Sequence, residues 1–241
     1  MVIYEDNHLL VLRKQPGILS QADYSGAPDL LTQGKEYIRK TYQKPGNVFL
    51  GLVHRLDRNV GGVMVFARTS KAASRLSEQI RNHLIKKEYL VVVEGITKNF
   101  ETLKHSLLKD EKQNVSRVMR VADDQHKQGK LSTLTYTQLG ITISKESDQE
   151  MSLLEVELIT GRSHQIRAQL SFIGHPIVGD VKYGAKSQAH GGKSTQKSRS
   201  DLALFAHRLT FKHPTRDEML SFEAFPENKP PWSHFSGLFS S

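Results

Sequence analysis

Four short apolar runs limit what this chain can fold into: Leu9–Leu12, Phe49–Val53, Val63–Ala67 and Tyr89–Val93. Turn-forming or charged residues stop each run within a strand's length, and β-branched and aromatic residues dominate the last two. Leu9–Leu12 reads as a short strand, and the other three runs as buried strands, satisfied best when covered on both faces. Val2–Tyr4 makes a shorter strand before the turn cluster Glu5-Asp6-Asn7, and Ser132–Leu139 is a further candidate. Leu154, Val156 and Leu158 alternate with Glu155 and Glu157, the pattern of a strand with one wet face. Phe205–Phe211 and Met219–Phe222 supply the last strands.

Helical periodicity is confined to three segments. Asp29–Tyr42 carries Leu30, Tyr37, Ile38 and Tyr42. Thr69 or Ser70 caps a helix in which Ala73, Leu76, Ile80 and Leu84 recur at three- and four-residue spacing. Ser163 reads as the N-cap of a short helix lined by Ile166, Leu170 and Ile173 and closed by Gly174 and Pro176. Strands outnumber helices, and several follow one another through loops alone. The expected fold class is α+β, with a large, mainly antiparallel mixed sheet flanked by helices, rather than a doubly wound sheet.

Composition narrows the function. The 241 residues carry a net charge of +9, which points to a polyanionic partner, nucleic acid first. There is no cysteine, so disulfides, thiolate catalysis and Cys-based metal centres are excluded. No apolar run approaches the roughly 18–20 residues of a membrane span. The opening MVIYEDNHLL has no basic segment and reaches acids at once, so no signal peptide is expected and a cytoplasmic location fits. Strand-like sequence from Val2 onward also sets the expectation that no accessory domain precedes the main one. Eleven histidines are present without an H-E-x-x-H pattern, and neither Gly-rich nucleotide fingerprint occurs, so no metal or nucleotide cofactor is expected. A metal-dependent nuclease is disfavoured for the same reason. Lys182–Ser200 is rich in Gly, Ser and Lys, has no acid and little to bury, and reads as a mobile surface loop suited to phosphate contact or to no role at all.

Two segments concentrate candidate chemistry. In GLVHRLDRNVGG, Asp57 lies between Arg55 and Arg58 on a loop between two apolar runs, and Gly61-Gly62 permits close approach of another backbone or a ligand. Such an aspartate is either a surface ion pair or a catalytic carboxylate. In TGRSHQIR, Arg162 precedes the short helix, and His164 and Arg167 share a face opposite Ile166 and Leu170. That face suits an anion at a helix N-terminus, or is the wet side of an ordinary amphipathic helix. Tyr89 heads the run YLVVV, where most tyrosines are core residues.

Taken together, these motifs resemble the RluA-type family of RNA pseudouridine synthases. The matching segments are Tyr4-Glu5-Asp6, Lys14-Gln15-Pro16-Gly17, His54-Arg55-Leu56-Asp57-Arg58, Lys87-Glu88-Tyr89-Leu90 and Thr160-Gly161-Arg162-Ser163-His164-Gln165-Ile166-Arg167, in that order. Gly174-His175-Pro176, Gly179-Asp180, Tyr183-Gly184, Ala206-His207-Arg208-Leu209 and His213-Pro214 follow. The likeness runs from about Val2 to Pro226. It implies a single catalytic domain over 1–228 containing the 182–200 loop, a cleft across the sheet, a C-terminal tail over 229–241, and no N-terminal S4 module.

The resemblance also implies an activity. Members of the family convert uridine in structured RNA, tRNA or rRNA, to pseudouridine with no metal or organic cofactor. They cleave the C1′–N1 bond, turn the detached uracil and rejoin the sugar to C5. On the family pattern Asp57 is the essential carboxylate, Arg162 its guanidinium partner and Tyr89 the group against the uracil. Arg55 is the candidate wedge for the flipped base, and His54, Arg58, His164, Gln165, Arg167 and Leu209 are the further substrate-binding candidates. Attack at C1′, a glycal route and attack at the uracil ring all stay open. A non-catalytic RNA-binding protein on the same fold is the second reading, and a monomer is expected. The chain departs from the family where Val60-Gly61-Gly62 replaces the usual Thr-Ser-Gly, removing two hydroxyls, and where Gln169 replaces a histidine.

Overall fold

The computed structural model describes residues 1–119, 129–144, 148–186 and 202–238. Its strands are β1 Val2–Glu5, β2 Leu9–Lys14, β3 Gly51–Leu52, β4 Gly61–Ala67, β5 Lys86–Glu94, β6 Phe100–Asp110, β7 Val115–Met119, β8 Lys130–Ile143, β9 Glu150–Leu158, β10 Leu204–Lys212 and β11 Met219–Glu223. The α-helices are α1 Leu30–Thr41, α2 Ser70–Arg81 and α3 Gln165–Phe172. The fold class is α+β, as the sequence leads one to expect. The chain divides into two compact units, Met1–Lys87 with Ala206–Phe225, and Glu88–Phe205 with Pro226–Ser241.

In the first unit β1, β2, β4 and β10 are neighbours in that order, with β3 on β4 and β11 on β10. The pairs β1/β2, β2/β4, β3/β4 and β10/β11 are antiparallel. Leu9, Leu10, Val11 and Leu12 are all fully buried, which explains why β2 is a continuous apolar run. Leu9 and Val11 face α2 in a core with Val63, Val65, Ala67, Ala72, Leu76, Leu209 and Phe211. Leu10 and Leu12 face Leu50 and Gly34 of α1 on the other side. Each fully buried leucine contributes about 1.5–3 kcal/mol of transfer free energy, so the two helices are fixed chiefly by these contacts. Asp29 caps α1 by accepting the Thr32 N–H at 2.9 Å, and Thr69, of the two candidates, caps α2 by accepting the Ala72 N–H at 3.2 Å.

The Tyr4-Glu5-Asp6 and His213-Pro214 motifs meet here. Asp6 Oδ1 accepts the His8 and Leu9 N–H groups at 2.7 Å, and Oδ2 takes Tyr4 Oη at 3.0 Å, His213 Nε2 at 2.8 Å and Arg216 at 2.9 Å. Burial by itself raises the Asp6 carboxyl, but the bonds from His8, His213, Leu9 and Tyr4 outweigh it and hold the group below its usual range. Glu5 in turn accepts from Tyr37, Tyr42 and Arg68.

The second unit is a run of antiparallel neighbours, β5, β9, β8, β6 and β7. Here the structure departs from the sequence reading in several places. β6 and β7 were not foreseen. In the first unit, the expected strand Phe49–Val53 shrinks to the two residues of β3, with Phe49 exposed, and Leu84 lies exposed beyond the end of α2. In the expected C-terminal tail of 229–241, a 3-10 segment, Trp232–Leu238, buries Trp232 and Phe235 and lays Leu238 on Gly140 of β8. Of the expected 182–200 loop, Lys182 and Tyr183 belong to a 3-10 turn and the Lys186 N–H donates to Glu94 at 2.7 Å. Residues 187–200 lie outside the described residues. No described helix is long and apolar enough to cross a membrane.

Candidate functional site

The loop from His54 to Val60 joins β3 to β4 in the first unit, and three residues from earlier in the chain, Lys14, Gly17 and Ser20, hold it. Ser20 Oγ donates to the Leu56 carbonyl at 2.8 Å and accepts the Leu56 N–H at 3.0 Å. Arg58 Nε donates to the Gly17 carbonyl at 3.0 Å, while the Gly17 N–H donates to the Arg58 carbonyl at 2.8 Å. The same Arg58 carbonyl accepts Lys14 Nζ at 2.9 Å. Within the loop the Val60 N–H closes a turn onto the Asp57 carbonyl at 3.0 Å. The missing Thr-Ser hydroxyls at 60 and 61 therefore leave a loop tied down from its other side, with Val60 buried as a hydrophobic anchor.

Asp57 emerges from this frame half-buried, and Arg55 and Arg58 are exposed. His54 points inward. Its Nε2 accepts the Val65 N–H at 3.0 Å, which places the ring proton on Nδ1. Burial pushes the imidazole down to about 4, with the Lys87 ammonium adding to the effect, so the ring is neutral at pH 7. Just past the loop, in β4, stands Gly62, whose φ of +130° and whose seat on Ala206 leave no space for a side chain: a Cβ there would run into the Ala206 carbonyl. Leu209, expected at the substrate, is a buried member of the core cluster that includes Ala72 and Leu76 of α2.

In the second unit, Tyr89 is a buried residue of β5 opposite Val156, and Arg162 is exposed on the turn before α3. That turn is built by Gln165, which is almost wholly buried. Its Oε1 accepts the Arg162 N–H at 3.0 Å and the Thr160 hydroxyl at 2.8 Å, and its Nε2 donates to the Thr133 carbonyl at 3.1 Å. Gln165 thus shapes the backbone that carries Arg162. The expected N-cap at Ser163 is corrected: His164 holds that position, in a left-handed conformation with φ +51°, and gives no side-chain cap. Ser163 instead accepts Ser116 Oγ at its carbonyl, 2.6 Å away.

The expected basic wet face of α3 is also corrected. Gln165 through Leu170 are all buried. Arg167 makes a bidentate pair with Asp180, Nε to Oδ2 at 2.7 Å and Nη2 to Oδ1 at 2.8 Å, and its guanidinium lies 4.8 Å from the Tyr183 ring centroid. Tyr183 Oη accepts the Ser116 N–H at 2.7 Å and lies 2.9 Å from His164 Nδ1. The Gly179-Asp180 and Tyr183-Gly184 motifs therefore support the helix that follows Arg162. Gln169, fully buried, donates toward the Leu103 and Ser132 carbonyls.

Sequence reasoning missed three of these groups. Lys14 and Ser20 act on the Asp57 loop from 44 and 36 residues upstream. Asp180 acts on Arg167 from 13 residues downstream. The only signal for Lys14 and Asp180 was their presence in the quoted motifs, which carries no partner.

Residues 8–172 match the family model described as RNA pseudouridylate synthase. Ribosomal large subunit pseudouridine synthase C of Haemophilus ducreyi is 34% identical over 224 residues, covering 92% of this chain and 64% of that protein. The enzyme of the same name from Pasteurella multocida is 34% identical over 224 residues, covering 92% of this chain and 63% of that protein. This chain thus spans a little under two thirds of the length of these relatives. Among solved structures, human RNA Pseudouridylate Synthase Domain Containing 1 superposes with a TM-score of 0.71 at 22% identity, over 100% of this chain and 95% of the human one, a likeness of fold.

Proposed function

The chain belongs to the RNA pseudouridylate synthase family, and from that membership we propose that it isomerises uridine to pseudouridine in structured RNA. Ribosomal RNA is the favoured substrate, because the relatives that resemble it along most of its length are named for the large ribosomal subunit. Transfer RNA is the second candidate.

The observation that carries the reading is the Asp57 loop: a half-buried carboxylate between two exposed arginines, on a backbone clamped at Leu56 and Arg58. In this reading Asp57 acts on the glycosidic bond. The C1′–N1 bond breaks, a C1′–C5 bond forms, the C5 proton leaves and N1 gains one, so the reaction is balanced without a redox partner or cofactor. Arg162 is assigned as the guanidinium that favours the ionised carboxylate, and Tyr89 as the platform against the uracil. A base within a stem must be turned out of its stack, at a few kcal/mol, and exposed Arg55 is assigned to the vacated space. His54, neutral and bonded to Val65, supports the loop in this scheme. The protein works as a cytoplasmic monomer.

The test is to incubate the protein with tRNA and rRNA from a synthase-deficient strain and map pseudouridines, with Asp57→Asn beside it. New sites with the unaltered chain and none with the variant are expected. RNA binding without any new site overturns the enzymatic reading, and product from Asp57→Asn overturns the role given to Asp57.

A further inference from the structure

Tyr24 stands on the loop that runs from Ser20, the residue clamping Leu56, to Asp29, the N-cap of α1. Of the chain's seven tyrosines, Tyr4, Tyr37, Tyr42, Tyr136 and Tyr183 engage their hydroxyls in hydrogen bonds, and Tyr89 is buried in β5. Tyr24 is the exception. It is as exposed as in an extended chain, at 103%, and takes part in no hydrogen bond or ring contact among the described residues. A single exposed apolar side chain is ordinary, so exposure by itself assigns nothing. The place of the ring is what matters.

The loop is closed at its neck and stiffened at its tip. The Leu19 N–H donates to the Pro28 carbonyl at 3.1 Å, and the Leu30 N–H donates to the Leu19 carbonyl at 2.8 Å. At the tip, Asp23 Oδ1 accepts the Ser25 N–H at 2.8 Å and also the Ser25 hydroxyl. Ser25 Oγ accepts the Ala27 N–H at 3.3 Å, and Gly26 turns the chain at φ +66°. Tyr24 lies at the crown of this turn, between the two residues that fix it. The neck also holds the Asp57 loop, through Gly17 on Arg58 and Ser20 on Leu56. Tyr24 follows Ser20 by four residues, a backbone reach of about 14 Å at most. The Ser25 bonds hold the Asp23 carboxyl below its usual range, and the Arg58 guanidinium adds to their effect. The ring is thus fixed to the same frame as the Asp57 loop, a few nucleotide steps from it.

A neutral aromatic face suits a nucleobase rather than a phosphate. Stacking on it tolerates any sequence, because every base has a π-face. RNA offers such a face only where a base is unpaired, in a loop, a bulge or an end. We propose that Tyr24 is a stacking platform for an unpaired base near the target uridine, with exposed Arg58 beside it to meet the adjoining phosphate. The proposal rests on the reading that RNA is drawn to the Asp57 loop, and it narrows the substrate: uridines in loops or beside bulges are taken over uridines in unbroken duplex.

The experiment measures binding of the full chain, by fluorescence anisotropy, to two labelled probes: a hairpin RNA with an unpaired loop of adenines and uridines, and the same stem closed as a blunt duplex. Tyr24→Ala should bind the hairpin about tenfold more weakly, and Tyr24→Phe within about twofold of the unaltered chain. All three should bind the duplex alike. Tyr24→Trp adds a direct readout, since Trp232 is the one native tryptophan and is buried: its emission should be quenched by the hairpin and not by the duplex. Thermal unfolding should give one midpoint for all four proteins. Equal hairpin affinity in Tyr24→Ala, an equal loss on both probes, or a hairpin that the unaltered chain does not bind overturns the proposal. A chain that discriminates the probes as expected but makes no pseudouridine in any RNA leaves the platform standing and overturns the isomerase reading instead.

Discussion

Ser20 and Leu56 hold each other twice: one hydroxyl satisfies both backbone groups of the residue that precedes Asp57. All of these groups are buried, so no water stands ready to replace the hydroxyl. Ser20→Ala is expected to lower stability by about 1–3 kcal/mol, the cost of buried backbone groups left unmade. Urea unfolding reads that loss. If the loop serves as proposed, kcat falls while RNA affinity holds, and an unchanged unfolding midpoint would refute the clamp.

His54 makes stability depend on acid. Its imidazole titrates near 6.5 when unfolded and, through burial first and Lys87 second, near 4 when folded. A depressed folded value means that the unfolded chain binds the extra proton. The contribution is thus complete above pH 6.5, falls as pH drops toward 4, and is flat below that. Across the window it amounts to about 3 kcal/mol at most. His54→Gln keeps an acceptor for the Val65 N–H and cannot titrate, so its stability measured by urea at several pH values should be flatter across this window than that of the unaltered chain.

Arg167 and Asp180 form a buried, bidentate pair. Removing one partner strands the other charge, and Asp180→Ala is expected to cost about 3–5 kcal/mol. Replacing both, as Arg167→Met with Asp180→Leu, should cost less than the single change. A double variant as unstable as the sum of the two singles would show that the pair is not the unit of stabilisation.

Gln165 is sensitive to a change of one heavy atom. Its amide donates to the Thr133 carbonyl while its oxygen accepts from Arg162 and Thr160. Gln165→Glu sets an oxygen against the Thr133 carbonyl and is expected to cost about 1–3 kcal/mol. Because the turn carries Arg162, activity on RNA should fall further than the stability loss alone accounts for; thermal unfolding and turnover measured at one temperature separate the two.

The sequence was legible where burial is symmetric. β4 and β5 are covered on both faces or nearly so, and their unbroken apolar runs announce it. β6 was not legible, because its buried Leu103 and Leu107 stand four apart, a spacing that suits a helix as well as a strand; pairing with β8 decides it. α3 was placed correctly but mis-capped, since nothing local announces the left-handed His164. The same helix shows why a charged residue at helical spacing misleads: Arg167 looks outward until a carboxylate on a later turn draws it in. Asp57 could be singled out from its motif, but Ser20 and Lys14, which hold its loop, are ordinary residues made important by contacts far along the chain.

Gly62 sets a limit on how the Asp57 loop can vary. With its backbone against Ala206 and a positive φ, it admits no other amino acid without prising β4 from β10. A saturation library across residues 54–62 would return glycine at this position under any selection that requires folding. Insertions that lengthen the loop will be tolerated only upstream of it.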